Sequence, residues 1–183
     1  NRLMLSAYKN YLSLYLILFL SISIDAEENP YLFIDSNAQK MVSVLTENSD
    51  LFNSDRESYE NKIKEIFEPM IDFRRVAASV MGKKYYLLST KAQRADFVEI
   101  FKDSLLDTYA ETLAQWGDST ISTHFLDDQK DYEIKNIEVK QTLNTGSSKY
   151  PISYKLRKGD DGWKIVNIII NGVNLGLTFR NQF

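Results

Sequence analysis

Cysteine is absent from the 183 residues, which excludes a disulfide framework, a thiolate metal site and a cysteine nucleophile. Histidine occurs once, at His124, in a segment that reads as a strand. There a structural imidazole is commoner than a general base. A basic excess is missing as well: 22 Lys and Arg against 25 Asp and Glu give a net charge of −3, which argues against a nucleic-acid partner. The apolar run at residues 11–20 is half the ~20 residues that a membrane-spanning helix needs. No G-x-S-x-G, H-E-x-x-H, P-loop or G-x-G-x-x-G motif occurs, and there is neither an internal repeat nor a low-complexity segment.

What is present describes a globular chain of one domain's length, 44% hydrophobic and 26% charged. Aromatic residues reach 13%, and so many rings must go into a core, a pocket or an interface. The start reads as an export signal: Arg2 and Lys9 precede the apolar run, and a more polar stretch ends at Ala26. Residues 1–26 are thus expected to be a signal peptide and 27–183 a single exported domain, one unit more acidic than the whole chain and placed in a periplasm.

The first part of that domain has helical spacing. Asn29-Pro30 opens a helix carrying Ile34, Ala38, Met41, Val42 and Leu45. A second starts near Asp55 with Tyr59, Ile63, Ile66 and Phe67 on one face, and Pro69 is expected to break or kink it. Asp72 caps a third, with Phe73, Val76, Ala77, Val80 and Met81, that stops at Gly82. Thr90 and Gln93 have capping-box spacing for the fourth, whose stripe runs through Phe97, Ile100, Phe101, Leu105, Tyr109, Leu113 and Trp116 to Gly117.

The second part has strand character. Residues 119–128 predict one strand and 132–143 another. Tyr132 and Ile134 share one parity and Ile137 and Val139 the other, which predicts a bulge in the second strand. After a turn at 144–148, Tyr150, Ile152, Tyr154 and Leu156 make a dry face against the wet Ser153, Lys155 and Arg157. A turn at 158–162 leads into a last strand over 163–171. The fold class expected is α+β: helices on one face of a curved antiparallel sheet of about four strands.

Catalytic readings are thin. His124 and Asp72 are the candidates for acid–base chemistry, Asp127-Asp128 and Asp160-Asp161 read as solvated turns, and Arg74-Arg75 and Lys83-Lys84 as surface charge. The apolar faces either close on one another, giving an adaptor with a filled core, or leave an apolar cavity. Pattern alone does not separate these alternatives.

Two stretches resemble a known family. One is Asp72-Phe73-Arg74-Arg75-Val76-Ala77-Ala78-Ser79-Val80-Met81-Gly82, continuing through Tyr85, Thr90, Gln93-Arg94, Phe97, Phe101, Leu105 and Tyr109. The other is Tyr154, Gly162-Trp163-Lys164-Ile165-Val166-Asn167-Ile168, Gly172-Val173-Asn174-Leu175 and Arg180-Asn181-Gln182-Phe183. Together they resemble the MlaC family of periplasmic phospholipid carriers, also called toluene-tolerance auxiliary proteins. Asn167 stands where the family usually has Asp, and Asn174 where it usually has Ser. The family usually continues past Phe183 with a C-terminal helical segment that helps wall the cavity, so either the sequence stops short of that segment or the pocket is more open here.

The resemblance implies a deep apolar cavity between sheet and helices that takes lipid tails and leaves the headgroup outside. By position, Tyr109 and Val173 are its expected lipid-binding residues. Leu113, Phe73, Val76, Ile152, Tyr154, Leu156, Ile170 and Leu175 follow from the dry faces, and Arg94 is a candidate for partner docking. The role implied is non-enzymatic: phospholipid is cargo with no cofactor or metal. The carrier is a monomer serving an inner-membrane ABC transporter complex and an outer-membrane lipoprotein complex.

Overall fold

The computed structural model describes residues 29–114, 116, 118–126 and 134–181. The expected signal segment, Gly117, and residues 127–133 lie outside them. Helix α1 (Pro30–Glu47) starts where Asn29 accepts hydrogen bonds from the backbone N–H groups of Tyr31 and Leu32 at 2.9 and 3.1 Å. It buries Tyr31, Ile34, Ala38, Met41 and Leu45, the face expected from the spacing with Tyr31 added and Val42 only half-buried. A single turn, α2 (Leu51–Ser54), was not foreseen. Helix α3 (Arg56–Met70) runs one residue past Pro69, because a proline in the last turn interrupts little of the ladder.

Asp72 caps α4 (Phe73–Leu88) by accepting from the Arg75 N–H at 3.0 Å. Its own N–H donates to the Ile165 carbonyl at 2.9 Å, stitching the helix start to the sheet. The helix does leave helical geometry at Gly82 (φ 74°, ψ 162°), as expected, but resumes beyond it. That backbone region belongs essentially to glycine. Helix α5 (Lys91–Ala114) opens on the foreseen capping box: Thr90 N–H donates to Gln93 Oε1 at 2.9 Å, and Gln93 N–H to Thr90 Oγ1 at 3.2 Å. Ile100, placed on the apolar stripe by spacing, is 63% exposed.

The sheet is an antiparallel meander in the order β1 (Thr120–Thr123), β2 (Asn136–Asn144), β3 (Lys149–Gly159), β4 (Gly162–Ile170) and β5 (Val173–Asn174). It has one strand more than expected. Asn171 (φ 48°) and Gly172 (φ 81°) form the two-residue hairpin that turns β4 into β5. Asn174, the residue that departs from the family's serine, accepts from the Leu177 N–H at 3.1 Å and caps the short α6 (Leu175–Arg180).

Two strand expectations need correction. The first strand is shorter than 119–128, ending at Thr123. The bulge is not in β2, which pairs with β3 in unbroken register; Ile134 simply precedes that strand. The register shift lies between β3 and β4, where Lys155 faces Asn167 and Leu156 faces Ile165, leaving Val166 as the extra residue. Trp163 and Ile165 therefore share the dry face with Ile168 and Ile170 despite their opposite parity.

Among the described residues, helices and sheet enclose three clusters. The first joins the dry face (Val139, Leu143, Ile152, Tyr154, Leu156, Trp163, Ile165) to Tyr31, Ile34 and Met70. The second lies among helices, with Met41, Leu45, Tyr59, Ile63 and Leu113. Partly buried Ile66 and Trp116 touch both. The third, Ala77, Val80, Phe101 and Phe179, shares no member with either.

Candidate functional site

A void lies where the three clusters fail to meet. Mouth included, it measures about 820 Å³, of which about 110 Å³ admits the centre of a water molecule. The enclosed part is small beside the roughly 300–1,000 Å³ of ligand pockets, and the remainder includes space open to solvent. Its floor is the upper dry face of β3 and β4: Ile152, Tyr154, Ile168 and Ile170. Phe67 and Ile71 close one side from α3 and the turn after it. Phe73, Leu105, Leu113 and Trp116 close the other, and Leu175 stands at the head of α6. A smaller void of about 380 Å³ adjoins it through a shared partition of Ile71, Phe73, Leu105, Ile168 and Leu175, and adds Val76 and Phe179 to the apolar tract.

Charge enters the lining at three residues of α3 and α5. Lys64, Glu68 and Lys102 line the large void and tie α3 to α5. Lys64 Nζ lies 3.5 Å from Glu68 and 3.3 Å from Asp103; Lys102 Nζ lies 3.4 Å from Glu68 and 2.9 Å from Glu99. Hydrogen bonding to Asp103 holds Lys64 above its ordinary pKa, and bonding to Glu99 does the same for Lys102. A lysine raised in the folded state contributes its stabilisation fully below its unfolded value, near 10.5, and loses it as pH rises through the folded value. Thermal midpoints measured from about pH 8 to about pH 12 should hold, as far as these lysines matter, to about pH 10.5 and fall beyond it. Lys102→Met should shallow that fall; an unchanged alkaline limb would refute the assignment.

Of the residues proposed from sequence, Leu113, Phe73, Ile152, Tyr154, Ile170 and Leu175 meet around the large void, and Val76 lines the smaller one. Two do not join them. Leu156 is 1% exposed and packs within the first cluster, filling the sheet's centre rather than a wall. Val173, opposite Ile170 across the terminal hairpin, is 53% exposed and lines neither void. The Tyr109 side chain lies outside the described residues. Phe67, Ile71, Leu105, Trp116 and Ile168 were missed as lining residues, though the first, third and fourth stood on recognised apolar faces.

His124 is exposed, follows β1 rather than lying in it, and bonds Thr142 Oγ1 at 2.8 Å. Asp72 spends its carboxylate on the α4 cap and an Arg75 ion pair at 3.4 Å. Neither lines either of the two voids. Arg74, Lys83 and Lys84 are exposed. Arg94, offered for docking, instead donates to the carbonyls of Tyr86 at 2.6 Å and Ser89 at 2.9 Å and lies over the Tyr86 ring, closing the C-terminal end of α4. Among the described residues no cluster of three metal-ligating side chains occurs, and no helix is long and apolar enough to cross a membrane.

A sequence profile of the family described as MlaC protein matches residues 35–183. The toluene tolerance protein ttg2D of Pseudomonas putida is 29% identical over 160 residues, 86% of this chain and 73% of its own length. The intermembrane phospholipid transport system binding protein MlaC of Haemophilus influenzae is 23% identical over 152 residues, 82% of this chain and 71% of its own. A similar solved fold is the phospholipid-binding protein of Ralstonia solanacearum in complex with a phospholipid. Its TM-score is 0.74 at 23% identity, covering 82% of this chain and 83% of that one.

Proposed function

The chain belongs to the MlaC family, and from that premise we propose that it is a soluble periplasmic phospholipid carrier. It holds acyl tails in the void and passes its cargo between an outer-membrane lipoprotein complex and an inner-membrane ABC transporter complex. The observation that supports this reading is an apolar void between sheet and helices whose charged lining residues are Lys64, Glu68 and Lys102. A two-tailed lipid has roughly 30 methylenes, each costing ~0.8 kcal/mol in water, so bare transit would cost about 25 kcal/mol. Enclosing the tails removes most of that cost, while a headgroup left at a wet rim needs no buried counter-charge. Phe73, Leu113, Ile152, Tyr154, Ile170 and Leu175 then contact the tails, and the two adjoining voids are the space that side-chain movement at their partition joins for a second chain.

The test is chemical. Protein purified from its own cells, extracted with organic solvent and analysed by mass spectrometry, is expected to yield about one phospholipid per chain. Absence of stoichiometric lipid from freshly purified protein would overturn the proposal.

A further inference from the structure

Inward of the charged rim, the large void presents two polar side-chain groups, the Trp116 indole and the Tyr154 phenol. Trp116 is partly exposed, whereas Tyr154 is 8% exposed on the dry face of β3, paired with Val139 and Ile168. No hydrogen-bond partner of the Tyr154 hydroxyl is found among the described residues. Burial alone pushes its pKa up, so it stays a neutral donor. A phenol in the wall of an apolar void offers its one O–H donor to whatever guest enters. Among the described residues the fully buried side-chain atoms without partners are Tyr59 Oη and Gln141 Oε1, and neither residue lines a void.

An acyl tail has no acceptor along its hydrocarbon. A phosphodiester drawn in to Tyr154 would leave the lysines of the rim for a site with no cation, at a large desolvation cost. The acceptor between those zones is the ester carbonyl, neutral and a few bonds inward of the headgroup. We propose that Tyr154 Oη donates a hydrogen bond to an acyl ester carbonyl of the cargo, so that the void selects ester-linked over ether-linked lipids of equal chain length. This rests on the carrier reading, and it turns that reading from a greasy container into a site that registers how the tails are attached.

Stripped protein is loaded from vesicles of diacyl phosphatidylcholine, of its dialkyl ether analogue, or from palmitate alone. Wild type is expected to retain the diacyl lipid over the dialkyl by about two- to tenfold, the worth of one neutral hydrogen bond. Tyr154→Phe should retain both equally, at the level of wild type with the dialkyl lipid. The stripped Phe variant should melt no lower than stripped wild type, because it loses an unpaired hydroxyl. Equal retention by wild type, or an undiminished preference in the variant, overturns the inference and leaves the carrier reading standing. A lower melting point of the stripped variant also overturns it, by showing a structural hydroxyl. Palmitate held in preference to the diacyl lipid would assign the bond to a free acid instead, and uptake of none of the three sinks both readings.

Discussion

Replacing Ile170 with glutamate is expected to lower the phospholipid that co-purifies with the protein on the order of a hundredfold, with the fold retained. Ile170 ends β4, is only half-buried, and lines the large void. In the empty protein a carboxylate there reaches the water of the open mouth and costs little. In the loaded protein it would lie against hydrocarbon, which disfavours its charged form. A rise of about two pKa units is about 2.7 kcal/mol against loading, hence the hundredfold. Lipid phosphorus per mole of protein measures it, with circular dichroism as the check on folding. Ile100→Glu, at a side chain 63% exposed on α5, is the matched control and should load normally. Normal loading by the Ile170 variant would remove this wall from the binding site.

Trp163→Ala should have the largest effect on stability. The ring is 2% exposed in the first cluster, with Lys158 Nζ 5.8 Å from its centre. It lines neither void, so no guest compensates for its loss. Truncating a buried aromatic costs about 3–5 kcal/mol through lost transfer energy and an unfilled hole. Against a usual 5–15 kcal/mol of total stability, that takes a large share. With a urea dependence near 2 kcal/mol/M, the midpoint should drop by about 2 M. A shift below about 0.5 M would show that the sheet's centre is less tightly packed than its burial indicates.

Much of this architecture could be read from residue order. The helix starts at Asn29, Asp72 and Thr90 were legible because capping depends on local chemistry, and each side chain makes the bond its type and spacing call for. The dry face of β3 was legible because its alternation is unbroken from Tyr150 to Leu156. Two local signals in the sheet point elsewhere than expected. The change of parity between Ile165 and Ile168 marked the bulge in β4, yet the weaker one at Ile134 drew attention to β2. Asn171-Gly172 was a plain hairpin signal for β5. As for the site, apolar periodicity names residues that leave water but not what they meet. Leu156 meets other side chains and Ile152, one step along the same face, meets a void. That distinction arises from how three clusters are spaced, which no local pattern encodes.

Division of the interior has a kinetic consequence. When one continuous core holds a domain, opening any part of it means melting the whole. Here the Phe101–Phe179 group and the sheet-centred group can separate along the seam of Ile71, Phe73, Leu105, Ile168 and Leu175 while each stays intact. On the carrier proposal, cargo seated in that seam would act as mortar between two blocks, and exchange of the cargo and breathing of the protein would become the same event.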